Sequence, residues 1–260
     1  SAVEVGKKLF SCLGTVVMIN DRVGQKPPRP SEPRRESLSQ TAEEVIKHHC
    51  DLGVATDVDA DRVLFIDETG TVLSEDLTAV ILAHLTSLRA IAGKVPVFVT
   101  PVNSSGLFKA EARKWGAKVF DCRVGPPEII AAIKTNQADF AYEESGKYFF
   151  ADQCLWADGL LTGVQMLAAM ANKNLPLSKI RQRYPVYYQI KSAIDCPWNK
   201  MPKKFVGDGF KLDFPDHSFL FIRASGTEPL IRVFSDSPSR LRATELARKG
   251  KQMIKEALRA

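Results

Sequence analysis

Leu52-Gly53-Val54-Ala55-Thr56-Asp57-Val58-Asp59-Ala60-Asp61-Arg62-Val63-Leu64-Phe65-Ile66 sets three aspartates in alternate positions between two apolar runs. Each run reads as a buried strand. Three carboxylates crowded between such strands need compensation, because unpaired buried charge is costly. A cation held at the mouth of a sheet supplies it. Oxygen-only ligands suit a hard ion and point to Mg2+. Arg62 adds a planar fork that can hold a phosphate beside that ion.

Two other readings of the loop stand beside this one. In an EF-hand loop, Asp57, Asp59 and Asp61 would take positions one, three and five, with Glu68 at twelve. Position six of that loop needs Gly for its sharp turn, and here it is Arg62; the flanks also read as strands rather than helices. The remaining alternative is a solvated acidic turn without an ion, which the flanking apolar strands disfavour.

Composition sets the frame. The chain has 260 residues, 45% hydrophobic and 25% charged, an ordinary globular balance with room for more than one core. No apolar run is long enough to span a membrane. The first apolar stretch is short and broken by Lys7 and Lys8, so no signal peptide is read. Five dispersed cysteines without a CxxC pair suit reduced thiols and a cytoplasmic setting. Net charge is +6, with much of the excess in Arg240, Arg242, Arg248, Lys249, Lys251, Lys255 and Arg259. Leu246, Met253, Ile254 and Leu258 give the same segment an apolar stripe, so the basic residues read as a solvated helix face rather than a nucleic-acid surface. No nucleic-acid or membrane partner is expected, and a modest positive excess suits an anionic small substrate.

Strand-like runs alternate with helical patterns to about residue 175, which indicates α/β layering. A helix over 3–13 and a strand over 15–19 precede a loop too proline-dense for regular structure, Lys26-Pro27-Pro28-Arg29-Pro30-Ser31-Glu32-Pro33. A helix over 41–48 leads into the aspartates. Helices are expected over 76–90 (stopping near Gly93), 107–115 and 128–135, and strands over 95–99, 118–121 and 140–142. Asp158-Gly159 opens a long helix to about 171. Beyond Pro185, strands over 186–191 and 219–223 and a final helix read as a separate α+β domain. The expected domains are 1–74, 75–183 and 184–260.

Two further constellations carry polar chemistry. Arg223-Ala224-Ser225-Gly226-Thr227-Glu228-Pro229 follows a strand. Gly226 admits close backbone approach, successive N–H groups can form an anion nest, and Ser225, Thr227 and Arg223 add donors, with Arg232 on the next strand. Glu143 and Ser145 lie two residues apart at a strand end and can face the same way, which suits vicinal sugar hydroxyls. A capping turn is the alternative there. Lys147 and Gly125 are weaker candidates.

The aspartate loop, Glu143-Glu144-Ser145-Gly146 and the Arg223–Pro229 turn, in that order, resemble the α-D-phosphohexomutase superfamily, which includes phosphoglucomutase and phosphomannomutase. The resemblance runs over essentially the whole chain. It implies two α/β layered domains, the first truncated, then a small α+β domain. Asp57, Asp59 and Asp61 would hold Mg2+. Arg62 would lie beside the reacting phosphoryl group, and Glu143 and Ser145 would bind sugar hydroxyls. Arg223, Ser225, Gly226 and Thr227 would grip the phosphate that does not react. Family members move a phosphoryl group between the C1 and C6 oxygens of a hexose through a phosphoserine. Several positions depart from the family pattern. No Ser-His-Asn-Pro loop, which would carry that serine, occurs here. Lys147 stands where many members have His, a general acid/base candidate. Pro126 and Pro127 follow Gly125, where members usually carry a polar contact. The expected substrate is a hexose phosphate. The expected partner is a separate N-terminal chain or a second copy; a strand lost from a parallel sheet leaves an exposed edge, so either dimerisation through that edge or rearrangement near residues 1–25 is expected. An isolated chain is expected to be inactive; a non-catalytic phosphosugar- or Mg2+-binding role is the second reading.

Overall fold

The computed structural model describes all residues except 1, 27, 90–93 and 260. Two compact units emerge: Ser1–Val102 with Ala112–Tyr184, and Asn103–Glu111 with Pro185–Ala260. The architecture is mixed α/β, as expected, with a small antiparallel sheet toward the C-terminus.

In the larger unit, α1 (Val3–Ser11) and α2 (Ser39–Lys47) precede β1 (Leu52–Thr56) and β2 (Val63–Asp67). These two strands pair antiparallel, with Thr56 opposite Val63, so the three aspartates form the turn of a hairpin. A two-stranded hairpin is marginal alone and needs cover. Leu64 and Ile66 of β2 bury against Leu38, just before α2, and Val45 of α2. Gly53 makes that approach possible: a Cβ there would lie 2.7 Å from Val45 Cγ2 and 3.0 Å from Ile66 Cβ. On α6 (Gly159–Lys173), a Cβ at Gly163 would meet Phe10 Cζ at 2.6 Å and Val54 Cγ1 at 3.7 Å, so glycine admits both α1 and β1.

The expected strand over 15–19 does not form. A strand needs a neighbour to exchange backbone hydrogen bonds, and among the described residues β1 and β2 form a two-stranded sheet, with one further bridge from Ile66 to Val72. Val17 stays 44% exposed.

The second sheet has the order β4-β3-β5-β6. Helix α3 (Glu75–Arg89) leads to β3 (Val97–Pro101); the expected end of that helix at Ala90 and its Gly93 stop lie outside the described residues. Helix α4 (Gly106–Lys114), β4 (Lys118–Cys122), α5 (Pro126–Asn136), β5 (Phe140–Glu143) and β6 (Lys147–Phe150) follow, and α7 (Leu177–Arg181) comes after α6. Strands β3, β4 and β5 run parallel, and β6 returns antiparallel to β5. Val99, Ala141 and Phe149 bury against Ile129 and Ile133 of α5. Every residue of β5 and β6 is buried, so neither shows the alternation of a half-exposed strand, and β6 is hidden from periodicity.

The smaller unit carries β7 (Tyr188–Asp195), β8 (Phe210–Asp213), β9 (Phe219–Ala224), β10 (Leu230–Ser237) and α8 (Arg240–Ala257). Its sheet, in the order β7-β10-β9-β8, is antiparallel throughout. Leu246 and Ile254 of α8 pack on Leu220, Ile222 and Val233. The basic residues of α8 lie outside this apolar stripe; Arg248, Lys249, Lys251 and Lys255 are exposed. Strand β7 starts at Tyr188 rather than 186, because its partner β10 ends at Ser237, opposite Tyr188.

Candidate functional site

The β1–β2 turn brings one oxygen of each of Asp57, Asp59 and Asp61 within 4.8 Å of the others. That spacing and the all-carboxylate donor set fit a hard divalent cation. Arg62 lies against two of the three. Its backbone N–H donates to Asp57 Oδ1 at 3.1 Å, and its Nε stands 3.6 Å from Asp57 Oδ2 and 3.9 Å from Asp61 Oδ1. Burial pushes the Asp57 carboxyl above its ordinary range; the Arg62 N–H opposes that, while the charges of Asp61 and Asp59 reinforce it. Glu68 is engaged elsewhere, accepting from the Ser178 hydroxyl and from its backbone N–H at 3.2 Å. It does not close an EF-hand.

The turn is braced from distant parts of the chain. Ala60 sits at φ +57°, in the left-handed region that costs a non-glycine residue of order 1 kcal/mol. Its carbonyl accepts the Gly159 N–H at 2.8 Å, and a Cβ on Gly159 would lie 2.9 Å from that oxygen and 3.2 Å from the Arg62 carbonyl. Asp158 caps α6 by accepting from the N–H groups of Leu160 and Leu161. Opposite, the proline-rich loop lies over the turn. Arg29 donates to the Thr56 carbonyl at 2.6 Å, Val58 N–H donates to Ser31 Oγ at 3.4 Å, and Glu32 pairs with Arg62 Nη1 at 2.9 Å. Burial lowers the Arg29 guanidinium pKa, and the Asp57 charge counteracts it. Sequence reading passed over Arg29, Ser31 and Glu32 because prolines marked their segment as irregular. Alternating charged and small residues among those prolines were the available signal.

The candidate sugar residues lie on the β5–β6 hairpin. Ser145 Oγ donates to Glu143 Oε2 at 2.9 Å, so the two side chains do face the same way. Gly146, at φ +87°, accepts the Val63 N–H at 3.0 Å and thereby fastens this hairpin to the start of β2. A Cβ at Gly146 would lie 3.1 Å from the Val63 carbonyl. Lys147, 8% exposed, places Nζ 2.5 Å from Asp61 Oδ2. Glu143 ends β5, a parallel strand, and carboxyl ends of parallel strands are where open α/β sheets bind ligands. Cys122 ends β4 nearby, and burial pushes its thiol up to about 12, with the charges of Asp121, Glu128 and Glu143 adding to the effect. A thiol so raised is poorly ionised at neutral pH and makes a weak nucleophile. Gly125 caps α5 at φ +128°, and a Cβ there would meet only Pro127.

The phosphate turn belongs to the smaller unit. Ser225 is buried and its Oγ accepts the N–H groups of Thr227 at 3.3 Å and Glu228 at 3.2 Å. Gly226 and Thr227 are exposed, and a Cβ on Gly226 would meet nothing within 4 Å. Arg223 and Arg232 are direct partners across β9 and β10, hence on one face of the sheet. Like charges so placed repel, and an anion between them would relieve the repulsion. Arg232 pairs with Glu228 at 2.6 Å, which offsets part of that charge.

A family model of phosphoglucomutase/phosphomannomutase, alpha/beta/alpha domain III, matches residues 74–187, and the domain II model matches 3–70. The chain belongs to the phosphoglucomutase/phosphomannomutase family. A "Phosphoglucomutase/phosphomannomutase" of Thermococcus kodakarensis is 33% identical over 250 residues, 91% of this chain and 54% of the relative. A "Phosphoglucosamine/phosphogalactosamine mutase" of Sulfurisphaera tokodaii is 31% identical, over 87% of this chain and 53% of the relative. This phosphoglucomutase/phosphomannomutase-family chain therefore spans about half the length of the curated relatives it matches. Among solved structures, a family member from Burkholderia thailandensis superposes with a TM-score of 0.84 at 20% identity, over 99% of this chain and 58% of that one. The N-acetylphosphoglucosamine mutase of Aspergillus fumigatus, solved with GlcNAc-6P and magnesium, gives 0.61 at 17% identity, over 79% and 51%. At these identities the two structures speak to the fold.

Proposed function

We propose that this chain supplies the metal, sugar and phosphate sites of a Mg2+-dependent phosphohexomutase, which moves a phosphoryl group between the C1 and C6 oxygens of a hexose phosphate. The observation that carries the reading is the convergence of Asp57, Asp59 and Asp61 beside Arg62, on a turn fastened to the hairpin of Glu143 and Ser145. Mg2+ bound there would act as a Lewis acid, stabilising charge on the transferring group. The chain's own groups would do the rest. Arg62 would hold equatorial phosphoryl oxygens, Glu143 and Ser145 would orient ring hydroxyls, and Lys147 would contact the reacting end. Arg223, Ser225, Gly226, Thr227 and Arg232 would grip the second phosphate. Phosphoryl transfer leans on such positioning more than on covalent chemistry by the protein.

The phosphoryl-carrying serine would come from the half of the relatives' length that this sequence does not span, on the same polypeptide or a separate one. Without it, the chain binds but does not turn over. Residues 1–74, 75–183 and 184–260 would act as three domains, and five free thiols suit a cytoplasmic setting. A second reading, a non-catalytic phosphosugar- and Mg2+-binding subunit, is favoured by one observation: Lys147 already occupies Asp61.

Joining the chain to the segment of the Thermococcus relative that this sequence does not span, and assaying hexose 1- and 6-phosphates, separates the two. Mg2+-dependent interconversion supports the mutase. A folded fusion that binds glucose 1-phosphate yet never interconverts it supports the second reading.

A further inference from the structure

The aspartate turn carries its own cations. Asp61 faces Lys147 through Oδ2 at 2.5 Å and Arg62 through Oδ1 at 3.9 Å. Asp57 faces Arg62 through both oxygens. Asp59 is the exposed member of the three. The Lys147–Asp61 pair is well enclosed, with side-chain exposures of 10% and 17%, so solvent screens it weakly. Lys147 opens β6 directly opposite Glu143, and the hairpin is pinned to β2 through Gly146 and Val63, which fixes the Lys147 backbone beside the turn.

We infer that Lys147 competes with the divalent cation for Asp61 and holds Mg2+ affinity down. The inference rests on the reading that the triad holds Mg2+. A cation entering the triad must share Asp61 with an ammonium or displace it, and both cost affinity because like charges repel strongly where screening is weak. Lys147 is thus a positioning residue acting on the metal through Asp61. A purely structural clasp between hairpin and turn predicts the opposite sign: loosening it would scatter the carboxylates and weaken binding.

Calorimetric titration of Mg2+ into the whole chain tells these apart. Lys147→Gln should bind Mg2+ about tenfold more tightly than the parent, the direction set by removing a nearby like charge. Lys147→Arg, which keeps the charge, should stay within about twofold of the parent. Unchanged or weaker binding in Lys147→Gln overturns the inference. If Lys147→Gln does not fold, Lys147→Met takes its place: tighter binding supports the inference and unchanged or weaker binding overturns it. Asp59→Asn guards the underlying reading. If neither the parent nor Lys147→Gln binds Mg2+, or if binding survives Asp59→Asn, the metal reading itself falls. If the parent binds through Asp59 and only the Lys147 variants disagree, the inference alone falls.

Discussion

The aspartate turn and the phosphate turn are both short loops rich in polar groups, but they are held in different ways. The aspartate turn is stabilised from outside: by Gly159 from α6, Gly146 from the β5–β6 hairpin, and Arg29 and Glu32 from the proline-rich loop. It contains a non-glycine residue at positive φ, Ala60, which outside contacts sustain. The phosphate turn is held mostly by its own groups, two N–H groups on Ser225 Oγ and one Arg232–Glu228 pair, with a single distant bond from the Cys196 N–H to the Pro229 carbonyl at 2.8 Å. A loop with many outside braces is sensitive to substitutions far away in sequence; one held mostly by its own groups is sensitive mainly locally.

The sharpest way to break this comparison uses one glycine from each side. Gly159→Val should cost about 2–3 kcal/mol, because its side chain must push into the Ala60 and Arg62 carbonyls. Gly226→Ala has open space and should change stability by no more than about 0.5 kcal/mol. Denaturant midpoints measure both, and equal costs would remove the distinction. Smaller effects are expected at the braces themselves. Arg29→Ala should cost about 1–2 kcal/mol by leaving the Thr56 carbonyl short of its donor. Ser225→Ala should cost about 1 kcal/mol, expressed as loosening of its own turn. Hydrogen exchange at Thr227 and Glu228 would rise in the second variant and stay constant in the first. For the ligand, Arg223→Ala should weaken glucose 1-phosphate binding about tenfold, since a charge-assisted pair is lost. The exposed, Glu228-paired Arg232→Ala should weaken it about threefold or less.

The same contrast explains how much of the molecule could be read beforehand. The phosphate turn is local, so its residues were legible as a string, and its neighbouring strand β10 was anticipated through Arg232. The three aspartates and Arg62 were legible because alternate carboxylates between apolar strands have few physical explanations. Their braces were not. Arg29, Ser31 and Glu32 act across 27 to 30 residues of chain from a loop whose prolines suggest only irregularity. Lys147 was visible as a candidate, but its grip on Asp61 depends on strand β6, which periodicity hides because both its faces are buried. The expected strand over 15–19 had the right residues and failed for want of a partner among the described residues, since pairing is a tertiary property.

Asp59 gives the cleanest access to the central claim that the aspartate turn is a Mg2+ site, because it is the exposed ligand candidate and its carboxylate can be neutralised with little effect on packing. Calorimetric titration of Mg2+ into the parent chain and into Asp59→Asn, with thermal melts to verify equal stability, is the direct measurement. The account predicts one saturable site in the parent, lost or weakened about tenfold or more in Asp59→Asn at unchanged melting temperature. Equal Mg2+ binding by the two chains would contradict it.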